Sequence, residues 1–217
     1  MLGFTFSGVQ RLLVLGAHSD DIEIGCGGTL LHLLEQDTPL DVRWVTFSAN
    51  AERKAETHRA ATAFLAQAHT SSVAVHDFRD SYFPWEGDRL KECFEEIARD
   101  FNPNMVLTHH RGDRHQDHRT IAEITWNTFR NHVVLEYEIA KWEGDLGQPN
   151  IYVPLSEDLC RRKIAYLMDA HASQRGRDWF TEDLFLALLR IRGMECRSPS
   201  GFAEAFHGPK LAFTGLS

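Results

Sequence analysis

Five things are absent from this chain of 217 residues, and each absence argues against a class of protein. No apolar run approaches the roughly 18 residues that a membrane-spanning helix needs, so no membrane span is expected. The four cysteines, Cys26, Cys93, Cys160 and Cys196, lie far apart with no CxxC pair. That excludes a cysteine-rich zinc module and argues against a disulfide framework, which leaves buried thiols. There is no basic run, and 23 Lys+Arg against 31 Asp+Glu give a net charge of -8, which disfavours nonspecific binding to nucleic acid or an anionic membrane. No GxSxG elbow occurs, which disfavours a serine hydrolase of that type. The opening MLGFTFSGVQR also lacks a basic segment followed by an apolar core, so no signal peptide and a cytoplasmic location are expected.

What is present is ordinary globular composition, 43% hydrophobic and 25% charged, over a length suited to a single domain spanning 1–217. Strand and helix patterns alternate. Apolar or alternating runs at Leu12–Leu15, Asp41–Phe47, Ser72–Phe78, Met105–Thr108 and His132–Ile139 predict strands. Between them, helices are predicted over Gly25–Gln36, Ala51–Ala68, Arg89–Phe101 and Asp117–Phe129. Beyond residue 140 the rhythm fades: Glu143–Asn150 reads as a loop, Ile151–Pro154 as a short apolar run, Ser156–His171 and Thr181–Arg192 as helices, and the tail from Gly193 as loop-rich. The repeated strand-then-helix rhythm predicts an α/β fold, a Rossmann-like, mainly parallel sheet flanked by helices.

Two stretches carry the chemistry. From Leu12 to Gly28 the chain reads LLVLGAHSDDIEIGCGG, a buried strand running into a loop with His18, Asp20, Asp21 and Glu23. Ligands of open parallel sheets bind beyond the carboxyl ends of the strands, so these groups can converge there. His18 and Asp21 supply an imidazole and a carboxylate, both good ligands for a divalent ion. Residues 108–119, THHRGDRHQDHR, follow a second short strand and add His109, His110, His115, Asp117 and His118. His115 and His118 are three apart, so in a helical turn one could bind metal while the other handles a proton.

Taken alone, HSDD also suits a polar loop in which an aspartate caps the following helix. Two ligand-rich loops, each at a strand end, favour a metal site jointly. The GCGG glycines do not make a dinucleotide fingerprint, because acids stand where a pyrophosphate needs backbone donors. Cys26 reads as a small packing residue, at least one of His109 and His110 as structural, and the isolated His32, His58, His69 and His207 as surface residues.

The segments AHSDDIEIGCGG and HQDH resemble the AHPDD-type and HxDH-type motifs of the PIG-L/LmbE-type metal-dependent N-deacetylases. Weaker likeness runs through Arg53–Glu56 and Gly201–Phe206. The resemblance implies His18, Asp21 and His118 as zinc ligands and Asp20 as general base. It also implies that His115 stabilises the oxyanion or protonates the leaving amine, that Asp117 orients His115, and that Arg53 and Asp80 contact substrate. Ser19 replaces the usual proline, which frees the loop backbone a little. Three protein ligands leave room for an activated water, with zinc the default and ferrous iron compatible. The expected substrate is a small N-acetylated sugar or glycoconjugate, and a homo-oligomer is compatible with the sequence. A metal-dependent phosphoester or other ester hydrolase, and a noncatalytic metal-binding protein on the same fold, are the alternatives.

Overall fold

The computed structural model describes residues 8–212, so the leading segment, whose composition predicts no signal peptide, lies largely outside the described residues. Seven strands form one sheet: β1 (Arg11–Gly16), β2 (Asp41–Thr46), β3 (Thr70–Val75), β4 (Met105–His109), β5 (Val133–Tyr137), β6 (Ile151–Pro154) and β7 (Ala203–His207). Their order is β3-β2-β1-β4-β5-β7-β6. The five strands from β3 to β5 are parallel, while β7 pairs antiparallel with both β5 and β6. Six helices flank the sheet: α1 (Asp21–Leu34), α2 (Ala51–Phe64), α3 (Gly87–Asp100), α4 (Gln116–Thr128), α5 (Glu157–Ala170) and α6 (Glu182–Glu195). The predicted single α/β domain with a mainly parallel sheet is what the structure has. Among the described residues no helix is long and apolar enough to cross a membrane.

Burial on both faces explains the unbroken apolar strands. In β1, Leu12 and Val14 pack with Trp44, Phe64 and α1, whereas Leu13 and Leu15 pack with Phe94, Ile121 and Val134 on the opposite face. All four cysteines are buried free thiols, as expected.

Two predicted boundaries are corrected. α1 begins at Asp21, not Gly25, and carries the glycines inside it. A Cβ on Gly25 would stand 2.1 Å from the Tyr137 ring, and one on Gly28 would stand 2.5 Å from Leu155. Close approach of the helix to the sheet therefore sets those positions, and acidic Asp21 and Glu23 suit the helix's first turn. The tail is not all loop, since β7 lies between β5 and β6. Glu204, its second residue, masks the strand pattern, yet it is buried: it accepts from the backbone N–H groups of Gly28 at 2.8 Å and Thr29 at 2.6 Å and pairs with Lys163 Nζ at 2.6 Å.

The topology fixes where a site can form. From β1 the chain moves outward through β2 to β3, then crosses back to β4 on the other side of β1. The loops after β1 and β4 thus leave adjacent strands in opposite directions and open a crevice between them. His18 follows β1, and residues 110–115 follow β4.

Candidate metal and catalytic site

The loop after β1 is folded by its own side chains. Asp21 Oδ2 accepts the His18 backbone N–H at 2.6 Å, and the Ala17 N–H donates to His109 Nε2 at 2.9 Å. His18 and Asp21 are thereby turned toward the loop after β4. His115 stands at the N-cap of α4, where its Nδ1 accepts the Asp117 N–H at 3.3 Å, and His118 lies one turn further along the helix.

One donor atom each from His18, Asp21 and His118 lies within 4.8 Å of the others. His18 Nδ1 is 3.2 Å from His118 Nε2 and 3.4 Å from Asp21 Oδ2, and His118 Nε2 is 3.5 Å from Asp21 Oδ1. The outer nitrogens are held by carboxylates: His118 Nδ1 by Asp113 Oδ2 at 2.9 Å and His18 Nε2 by Asp117 Oδ2 at 3.2 Å. Such outer partners fix the tautomer, leaving the inner nitrogens to offer their lone pairs. Two imidazoles and one carboxylate in this arrangement fit a zinc-type ion.

Charge in the cluster is finely opposed. Burial lowers the pKa of His118, and nearby His109 lowers it further. His115 is lowered by burial and by His118 and His18. At His18, hydrogen bonds to Asp117, Asp21 and Asp80 outweigh burial and raise it. Asp21 is lowered, since His118 and His109 outweigh its burial.

Asp20 and Asp21 point to different partners. Asp20 Oδ2 meets the guanidinium of Arg53 at 2.9 Å, and Arg53 also reaches Glu56 at 3.0 Å. Asp80 is 3.4 Å from His18 Nε2 with its side chain 71% exposed, which puts it at the open edge; the hydrogen bond to His18 draws it down to about 2. The next residue, Ser81, has a left-handed backbone (φ 67) and donates its N–H to Asp117 at 2.6 Å.

Asp117, the residue expected to orient His115, shares a cluster with His18 and His115. Its carboxylate accepts from the backbone N–H groups of Ser81 and Phe83, at 2.6 and 3.1 Å, and faces His18. Its backbone N–H reaches His115. Its N-terminal place on α4 points the side chain at the β3–α3 loop. His207 is not a free surface histidine, because its ring stacks on His110 at 3.7 Å. His58 and His69 are exposed.

Several residues here escape a reading of the sequence. Asp113 is one, although its place in RGDRH, two before His115, is a usable signal. Lys141 lies 2.9 Å from Asp113. His171, fully buried, bonds Glu23 at 2.7 Å and approaches Arg53 at 3.4 Å. His109 is buried, 3.2 Å from Asp21. His110 is held by Glu136 at 2.7 Å.

The three-donor, metal-type cluster and its adjacent carboxylate lie at the switch point of a mainly parallel α/β sheet, the place where open sheets of this kind bind ligands. Residues 13–129, more than half of the chain, match the PIG-L family, described as GlcNAc-PI de-N-acetylase, and the chain belongs to that family. It is 25% identical over 166 residues to an uncharacterized deacetylase, YaiS, of Escherichia coli K12, covering 73% of this chain and 89% of that protein. In fold it is similar to the N,N'-diacetylchitobiose deacetylase of Pyrococcus horikoshii, with a TM-score of 0.70, 18% identity, and 93% and 84% of the two chains covered. It is also similar to GalB, a 4-carboxy-2-hydroxymuconate hydratase of Pseudomonas putida, with a TM-score of 0.75, 17% identity, and 96% and 99% of the two chains covered. The fold therefore hosts more than one reaction, and the chemistry must be argued from the side chains.

Proposed function

We propose that this chain is a zinc-dependent N-deacetylase acting on an acetamide carried by a sugar or glycoconjugate. The observation that carries the reading is the convergence of His18, Asp21 and His118 with both outer imidazole nitrogens tied to carboxylates. His18, Asp21 and His118 would hold a divalent ion, which when bound would supply Lewis acidity and lower the pKa of a water to about 7. Asp20, beside ligand Asp21, takes the proton of the attacking water on the carboxylate oxygen that Arg53 leaves free and returns it to the departing amine as the oxyanion collapses and the C–N bond breaks. His115 Nδ1 is occupied by the Asp117 N–H, so its ring proton sits on Nε2, available to the oxyanion that forms from the amide carbonyl. Asp117 steadies His18, and exposed Asp80 offers an acceptor to substrate hydroxyls at the open edge.

Phosphoester hydrolysis is less well supported, because three of the four candidate phosphate-binding arginines in the pocket-forming loops, Arg53, Arg79, Arg111 and Arg114, are engaged. Arg53 is paired with Asp20 and Glu56, Arg111 with Glu136, and Arg79 lies over the Tyr82 ring. The test offers N-acetylglucosamine, its oligomers, nucleotide sugars and glycosides beside phosphomonoesters and phosphodiesters, and measures acetate and phosphate in parallel. Metal-dependent acetate release supports the reading. Phosphate release with no acetate from any amide overturns it.

A further inference from the structure

Lys141 follows β5 in sequence, in a stretch with no motif, yet its ammonium is almost enclosed, with a side chain 11% exposed. It lies 2.9 Å from Asp113 Oδ2, 2.7 and 2.8 Å from the two oxygens of Asp145, and 3.4 Å from the Ile139 carbonyl. Asp145 in turn accepts the Arg114 backbone N–H at 2.6 Å. The ammonium therefore pins the loop after β5 to the loop after β4.

Asp113 is where that pin meets the site. It is 3% exposed as a side chain; Oδ2 faces His118 Nδ1 at 2.9 Å, and Oδ1 accepts the His115 backbone N–H at 2.8 Å. An ammonium has donors only, so the oxygen it faces serves as an acceptor. The other bond at that oxygen must bring its own proton, which puts the hydrogen on His118 Nδ1 and the lone pair on Nε2, toward His18 and Asp21. The cation also offsets the cost of burying a carboxylate behind a ligand.

We propose that Lys141 is a positioning residue for the metal centre, acting through Asp113 to fix the orientation and tautomer of His118. The proposal rests on the metal reading above. It makes the loop after β5, which contributes no ligand, a determinant of metal affinity.

The test is zinc affinity, measured by titrating chelator-stripped protein against a chromophoric competitor. Wild-type protein should take up about one equivalent, and Lys141→Met should bind about 10-fold more weakly, the lower end of the about 10- to 100-fold cost of losing the outer partner Asp113 itself. In an Asp113→Asn background the same substitution should add no more than about twofold, because its effect runs through that carboxylate. Unchanged affinity in Lys141→Met, or full additivity with Asp113→Asn, overturns the proposal. Should Lys141→Met fail to fold, Asp145→Asn leaves the lysine in place but frees its far anchor; a severalfold loss supports the proposal and unchanged affinity overturns it. A wild-type protein that binds no zinc removes the metal reading itself, and the Lys141 role with it, a result seen without any variant.

Discussion

Arg53 sits 2.9 Å from Asp20 and 3.0 Å from Glu56, so the arginine expected to contact substrate bridges two nearly buried carboxylates. Burial alone would lower its pKa, but the Asp20 charge and hydrogen bond outweigh that and raise it. Its guanidinium spans the gap between α2 and the N-terminus of α1, and His171 backs it at 3.4 Å.

Removing that bridge should be costly. Arg53→Met leaves Asp20 and Glu56 facing each other in a buried setting and is expected to lower unfolding stability by about 3 kcal/mol, read from urea denaturation. Arg53→Lys should recover only part of the loss, because one ammonium cannot reproduce the forked contact. Equal stability of the methionine variant and wild type would mean that the bridge contributes nothing net.

The two neighbouring aspartates should separate cleanly. Asp20→Asn keeps the side-chain shape but cannot take a proton, so it should retain metal while losing most turnover; His18→Ala should lose the metal as well. Elemental analysis beside acetate release checks both. If Asp20→Asn strips the ion while Asp21→Asn keeps it, the assignments of base and ligand are reversed.

Much of the fold and of the site is legible in the sequence for a definite physical reason. Strands buried on both faces leave unbroken apolar runs such as Leu12–Leu15, and ligands gather at strand ends, so HSDD and HQDH mark a site by composition and position alone. What escapes is long-range pairing. Glu204 hides β7 because its partner Lys163 comes from another element, and Lys141 looks like any surface lysine until the fold carries it to Asp113. The motif puts Asp117 in the cluster with His115, but sequence spacing does not tell that its carboxylate also faces His18 and the backbone of Ser81 and Phe83.

His115 should act on the rate rather than on binding. With Nδ1 filled by the Asp117 N–H, its useful contact is made by Nε2 as the oxyanion develops. His115→Ala is therefore expected to lower kcat by about 100-fold or more with little change in KM. A loss confined to KM would assign the residue to substrate binding.

The pH dependence of folding offers a test away from the ligands. His207 is pushed down to about 4, by burial first and then by the His110 ring stacked on it at 3.7 Å. A histidine whose folded pKa is depressed is neutral in the native state while the unfolded chain still binds a proton, so stability falls as pH drops. The contribution is fully present above the unfolded value of 6.5 and is lost progressively down to about 4. His207→Phe keeps a ring against His110 and removes the titration, so its stability profile should be flatter than wild type between those limits. Metal binding has its own pH dependence, so both proteins should be unfolded in urea with excess chelator present. Parallel profiles for the two would show that the stacked pair exerts no such effect. A steeper profile for the phenylalanine variant would mean that His207 is protonated more readily in the folded state than in the unfolded one, the reverse of what its burial against His110 requires.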